Sequence, residues 1–125
     1  MLEMVYEYHS DDMNFPSIKF DDGKLEITGE SYMENPFEFY LPILNLIKEQ
    51  LFANVHFIFD CKLTYTNTAS NKCIHQILDI MKDNIDKGKD IKINWYYNDY
   101  DMLSEIGEFE EDLNLEINKL EIEEF

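Results

Sequence analysis

A mixed α/β fold, one β-sheet with helices packed on it, is what the sequence predicts. Three observations carry this. Short alternations of apolar and polar residues flank an Asp22-Gly23 pair. Two longer alternating stretches follow, over 55–65 and 91–97. Between and after them lie segments whose apolar residues recur at helical spacing. Alternation places every second side chain on one sheet face, and a 3.6-residue recurrence places a stripe on one helix face, so the period identifies the element. The resulting order is β-β-α-β-α-β-α-β. Helices that join strands imply parallel neighbours through right-handed crossovers, and the opening hairpin makes the sheet mixed. The expected layout is a single layer of crossover helices.

Residues 1–16 are mixed in character, end at Pro16 and carry no clear element. Ser17 to Phe20 and Leu25 to Gly29 read as two strands of a hairpin. Asp-Gly suits the turn between them because glycine accepts a positive φ. Asn35 followed by Pro36 predicts a helix start: a capping side chain, then a residue without an amide hydrogen to leave unbonded. Phe37, Tyr40, Leu41, Leu44, Ile47 and Leu51 then share one helical face. Pro42 conflicts with a helix that begins at residue 36, so either the first turn is separate or the regular helix starts near Pro42.

Val55, Phe57, Phe59, Cys61, Leu63 and Tyr65 alternate with His56, Ile58, Asp60, Lys62 and Thr64, the longest strand pattern in the chain. Thr66 to Ser70 is a turn full of capping residues. Cys73, Ile74, Ile77, Leu78, Met81 and Ile85 mark a second helix, with Gly88 as its expected C-cap. Ile91, Ile93, Trp95 and Tyr97 form a further strand. Met102, Leu103, Ile106 and Phe109 predict a third helix over 99–112, with Gly107 a weak point inside it. Leu115 and Ile117 alternate, the phase slips at Asn118-Lys119, and Leu120 and Ile122 resume; a bulge or a hairpin turn is the expected cause.

Composition bounds the function. The 125 residues, with neither linker nor repeat, read as one domain over 1–125. With 45% hydrophobic residues the chain builds a core despite its charge. The formal net charge is −17, and all ten basic residues are lysine. That balance excludes a nucleic-acid backbone binder and a protein held on an anionic membrane by basic charge. Met1 to Val5 is no basic start to a leader, and no stretch approaches the ~20 apolar residues that span a bilayer, so the expected location is the cytoplasm. Cys61 and Cys73 form neither a CxxC pair nor a disulfide framework and are expected to be reduced, buried thiols.

Three segments stand out. Tyr65-Thr66-Asn67-Thr68-Ala69-Ser70 lies between a strand and a helix, and the carboxyl end of a strand is where function gathers in open α/β sheets. A helix start favours an anion, so a phosphate on Thr68 would suit it; the plainer reading makes Thr68 or Asn67 an N-cap. Glu30-Ser31-Tyr32-Met33-Glu34-Asn35-Pro36 holds two carboxylates and a hydroxyl, but no nucleophile–base pair supports an enzyme, and a helix-start turn is favoured. Trp95 to Asp101 clusters aromatic residues suited to an interface. Its acids Asp99 and Asp101, with Glu105, read as a solvated face rather than a cation site, because the spacing of a calcium loop is missing. His9, His56 and His75 are scattered, and neither the phosphate-binding glycine loops nor the GxSxG hydrolase motif occurs. No catalytic residue, metal or cofactor is expected.

Taken in order, these segments resemble one family. Gly29-Glu30-Ser31-Tyr32-Met33-Glu34-Asn35-Pro36 with Phe39-Tyr40-Leu41-Pro42, then Tyr65-Thr66-Asn67-Thr68-Ala69-Ser70, then Trp95-Tyr96-Tyr97 running on to Glu105-Ile106-Gly107-Glu108, are similar to the SiaC family of bacterial regulatory phosphoproteins. The family pattern is G-x-S-Y-P-E-N-P, F-Y-x-P, Y-F-N-T-S-S, and W-Y-Y leading to E-x-G-E. Here Met33 replaces the motif proline, Thr66 the phenylalanine and Ala69 the first motif serine, while Asn98 breaks the acidic run after W-Y-Y. The resemblance implies a STAS-like fold of the anti-sigma-factor-antagonist type. It also implies partner switching. A kinase phosphorylates the motif threonine, a phosphatase removes the phosphate, and the unmodified form binds and activates a diguanylate cyclase. The matching threonine is Thr68, and Tyr32, Asn35, Tyr65, Asn67, Ser70, Trp95, Tyr96 and Glu105 are the expected partner surface.

The expected function is therefore a non-enzymatic regulatory switch. The alternative is a constitutive acidic binding module, which residues 99–125 favour, with 11 acids and one lysine. Segment 61–75 around Thr68, by contrast, has no acid and two lysines, Lys62 and Lys72. A phosphate there would be a large local change.

Overall fold

The hairpin between Ser17 and Ser31 starts the described sheet's regular part. In this computed structural model, residues 6–8, 12–54 and 56–125 are described. Val55, His9 and the N-terminal residues 1–5, all read in the sequence above, lie outside the described residues. Strand β2 (Ser17–Asp21) and strand β3 (Lys24–Ser31) pair antiparallel, with Asp21 opposite Lys24. Asp22 and Gly23 both take positive φ, 49° and 75°, as the tightest hairpin turn requires. A strand that the sequence did not reveal, β1 (Tyr6–Tyr8), adds antiparallel to the other side of β2. Three residues are too few to show a period, which is why it escaped notice.

Three crossovers follow. Helix α1 (Pro36–Ala53) leads to strand β4 (His56–Thr66), helix α2 (Thr68–Asp86) to β5 (Asp90–Tyr97), and helix α3 (Tyr100–Leu113) to β6 (Asn118–Glu121). The described sheet runs in sequence order, β1-β2-β3-β4-β5-β6, with β3 to β6 parallel. Each crossover steps one strand in the same direction, and right-handed steps in one direction place every helix on one face. The expected mixed sheet under a single helical layer is what forms.

The core lies between sheet and helices. Phe57, Phe59, Cys61 and Leu63 of β4 face it, with Leu25 and Ile27 of β3 and Ile93 and Trp95 of β5. The α2 face expected from the sequence, Cys73, Ile74, Ile77, Leu78 and Met81, is buried, and Gly88 takes a positive φ of 92° just past the helix end. Burial raises the pKa of both the Cys61 and Cys73 thiols, so they pack as small apolar groups.

Helix α1 corrects the sequence reading in three ways. It runs unbroken through Pro42, which sits on the exposed side, where a carbonyl left without its amide donor is open to solvent rather than stranded in the core. The Asn35 side chain makes no capping bond, although Pro36 does open the helix. The buried stripe is Tyr40, Ile43, Leu44, Leu46, Ile47 and Leu51, whereas Phe37 and Leu41 are half exposed on its flank. Thirteen apolar or proline positions in 18 residues leave several helical phases nearly equal, and the sheet selects one of them.

The slip near Asn118 is neither a bulge nor a hairpin. Leu115 and Ile117 are buried in the connection after α3, and β6 begins only at Asn118. Glu110 of α3 holds this connection: its Oε2 accepts from the Ile117 amide at 2.9 Å, and its other oxygen pairs with Lys119. The apolar pattern therefore joins a core plug to an edge strand.

In α3, Gly107 lies on a continuous helix, and a Cβ there would meet nothing within 4 Å. Gly107→Ala is expected to raise unfolding stability by about 0.5–1 kcal/mol, measured by urea denaturation, because alanine loses less backbone freedom in a helix.

The helix-free face is polar but interlocked. Lys24 Nζ lies 3.0 Å from buried Asp60, whose other oxygen accepts from Asn94 Nδ2 at 2.9 Å. Asn118 Nδ2 in turn donates to Asn94 at 3.0 Å. Beside this row, Lys62 pairs with Glu26 at 3.1 Å and lies 5.1 Å from the Tyr96 ring centroid.

Candidate functional site

The parallel pairing of β3 and β4 unites two segments that are far apart in sequence. A register shift at Gly29/Glu30 brings Ser31 opposite Thr66. Gly29 takes φ 114° there, a conformation that glycine adopts without strain. Both strands end at the same edge of the sheet, where α2 starts.

Asn67 organises that start. Its Oδ1 accepts from the Ser70 amide at 2.9 Å, the capping bond. Its Nδ2 donates to the Met33 carbonyl at 3.0 Å, and its own amide donates to the Ser31 carbonyl at 3.1 Å. One side chain thus caps α2 and ties it to the turn after β3. Of the two candidate caps, Asn67 is the one that caps.

Beneath the cap lies a buried hydroxyl chain. Ser31 Oγ donates to Ser70 Oγ at 2.8 Å and lies 2.7 Å from the Tyr40 hydroxyl. A serine has one hydroxyl proton, so Tyr40 is the donor to Ser31. Burial pushes the Tyr40 pKa far above the usual phenol range, and it remains a neutral donor. The chain joins α1, β3 and the first turn of α2.

Thr68 sits above this, exposed, as the first residue of α2. The first turn of α2 holds no acid, whereas α1 has Glu38 and α3 has Asp101 in theirs. Asn67 already satisfies the Ser70 and Asn71 amides, which leaves the Thr68 and Ala69 amides at the helix start for solvent or an anion. Lys72 is one turn on, on the same helix face as Thr68. A bare hydroxyl here is reachable, and a phosphate here is electrostatically supported.

The expected surface residues separate into groups. Tyr32 and Tyr65 are about half exposed and lie ring to ring at 5.7 Å. Asn35 is exposed at the start of α1. Tyr65, Thr66, Trp95, Met102 and Glu105 line one small pocket, so the third segment does reach the second. Two residues differ from a solvent-facing role. Ser70 is fully buried in the hydroxyl chain, and Trp95 is buried with its ring stacked on Phe109 at 5.4 Å. They shape the surface from below. Tyr96 points to the helix-free face, because neighbours on a strand alternate. Asp99 caps α3, accepting from the Met102 amide at 2.8 Å. Motif reading missed the link from Tyr40 through Ser31 to Ser70, since only the tertiary fold brings them together.

Burial raises the Glu105 pKa, and Glu108, Asp99 and Asp101 raise it further. An acid with a raised folded pKa costs stability above that pKa, and the cost fades as pH falls towards the unfolded value. Glu105→Gln is accordingly expected to melt higher than the parent at pH 7, with the difference shrinking as pH falls towards about 4.3 and absent below it, where the unfolded carboxyl is protonated as well. Thermal melts across that range check it.

The profile described as "SiaC family regulatory phosphoprotein" matches residues 9–123. A protein of Pseudomonas aeruginosa (strain UCBPP-PA14), itself described as uncharacterised, is 29% identical over 76 residues. That alignment covers 60% of this chain and spans 60% of the relative's length. Among solved structures, apo-SiaC from Pseudomonas aeruginosa superposes with a TM-score of 0.81 at 24% identity, covering 97% of this chain and 98% of that one. A chain in the complex of diguanylate cyclase SiaD with its activator SiaC, from the same organism, gives a TM-score of 0.82 at 24% identity, covering 98% and 100%. These likenesses establish the shared fold.

Proposed function

The chain belongs to the SiaC family of regulatory phosphoproteins, and from that premise we propose that it acts as a non-enzymatic partner switch set by Thr68. One observation carries the reading. Thr68 is exposed on a helix start without acids, in a chain whose net charge is −17. There the bare hydroxyl is open to a kinase, and a phosphate adds about −1.5 to −2 charges at a single point.

The proposed partner surface surrounds that point: Tyr32, Asn35, Tyr65, Asn67 and Glu105, with Ser70 and Trp95 supporting it from beneath. Tyr96 would meet a partner only from the helix-free face. SiaC of Pseudomonas aeruginosa is described as the activator of the diguanylate cyclase SiaD, which favours a diguanylate cyclase as the partner here. A kinase and a phosphatase acting on Thr68 complete the proposal. No helix among the described residues is long and apolar enough to cross a membrane, and the cytoplasm is the proposed place of action.

Intact-mass and phosphopeptide measurement on protein from its native cells tests this. A phosphate on the peptide containing Thr68 is expected. Unmodified Thr68 under all growth conditions would leave the constitutive acidic module as the reading.

A further inference from the structure

A second surface lies between α1 and α2 at the end remote from Thr68. The helix α2 is 19 residues long, so its two end residues lie about 27 Å apart. There a groove of about 550 Å³ is bordered by Phe52 and Lys48 of α1 and by Ile80 and Asp83 of α2, with Lys87 and Lys89 beyond the helix end. Phe52 is 91% exposed, against 50% for Phe37 and 56% for Leu41 further up the same helix. By helical spacing Phe37, Leu41, Lys48 and Phe52 lie on the same flank of α1, and of these Phe52 alone borders the groove with Lys48.

The charges are unusual for this chain. With 27 acids to ten lysines overall, three lysines against the two carboxylates Asp79 and Asp83 make the groove locally positive. Lys87 pairs with Asp83 at 2.9 Å. Lys48 and Lys89 make no ion pair among the described residues, and both face the groove. Asp79, at the upper end, is the one groove carboxylate left outside a salt bridge. An apolar anchor point flanked by free ammonium groups complements a segment with apolar anchors and carboxylates.

We propose that this groove is a docking site for an acidic amphipathic segment of a partner protein, and that its occupancy does not depend on the state of Thr68. The surface is separate from the one around the switch residue. A partner that uses both would be held at one end constitutively and released at the other by phosphate. Such two-point attachment gives a high local concentration for rebinding.

The test uses the full chain and a fluorescein-labelled peptide with leucine and phenylalanine on one helical face and glutamates beside them, together with a twin carrying lysines instead. Anisotropy gives affinity, and amide shifts in a nitrogen-15-labelled sample give the location. Binding of the glutamate peptide at least tenfold tighter than its twin is expected, with shifts confined to 48–52 and 79–89. Phe52→Ser and Lys48→Glu should each weaken it at least fivefold without changing the melting temperature, since both residues are exposed. Thr68→Glu should leave it within twofold. No binding, equal binding of the twin, or shifts elsewhere overturns the proposal. So does loss of binding in Thr68→Glu, which would merge the groove with the switch. A dimer in sedimentation that Phe52→Ser dissolves would assign the groove to a second copy instead.

Discussion

A phosphate on Thr68 is expected to weaken binding to the proposed partner, a diguanylate cyclase, by about 100-fold, which corresponds to about 2.7 kcal/mol. Like charges brought together or a charge stripped of water at an interface cost several kcal/mol, and Thr68 is exposed where a partner would approach. Thr68→Glu carries one charge instead of nearly two and is expected to lose about tenfold, while Thr68→Ala should bind like the bare protein. Stability should move the other way. A negative group in the first turn of α2 meets the positive end of the helix dipole, which stabilises by about 0.3–1 kcal/mol. The phosphorylated chain should thus melt slightly higher while binding worse. Calorimetric titration and thermal melts on these four samples separate a local switch from unfolding. Equal affinities for all of them would remove Thr68 as the control point.

Tyr40→Phe is expected to cost about 1–3 kcal/mol of unfolding stability, measured by urea denaturation. The three hydroxyls of Tyr40, Ser31 and Ser70 are buried, and their bonds run across 2.7 and 2.8 Å. Removing the phenol oxygen leaves Ser31 without its donor in a place that water does not reach. Ser31→Ala should cost a comparable amount, because it strands both neighbours. The double variant should cost less than the sum, since one network is lost once. Additive losses would mean that the hydroxyls act independently. The same change loosens the tie between α1 and the first turn of α2, so amide exchange at Ser70 and Asn71 should quicken more than at Ile93 in the sheet centre.

Several parts of this arrangement are legible in the sequence. Asp22-Gly23 has one good use between alternating strands, and it takes the left-handed turn that the pair favours. The stripe Cys73, Ile74, Ile77, Leu78 and Met81 is narrow and faces an otherwise polar helix, so a single phase was possible. Asn67 and Thr68 stood at a strand-to-helix junction, where capping and anion binding are local properties. Where the local pattern was ambiguous, reading it went astray. On α1, Phe37 and Leu41 are as apolar as the residues that are buried, and only the position of the sheet decides which side is covered. At the end of the chain, Leu115 and Ile117 fill a gap beside α3 without forming a strand, a choice made by Glu110 and not by their own period.

The sequence by itself settled the types and order of eight of the nine described elements and the parallel half of the sheet. These depend on spacing along the chain, which local backbone geometry reads directly. Tertiary structure alone decided that Ser31 and Tyr40 lie under Ser70, that Trp95 faces the core while Tyr96 faces away, and that Phe52 stands open beside free lysines. Each of those depends on strand register and on which face the helices cover. A shift of one residue in register would exchange the two faces of a strand while leaving its own alternating pattern unchanged.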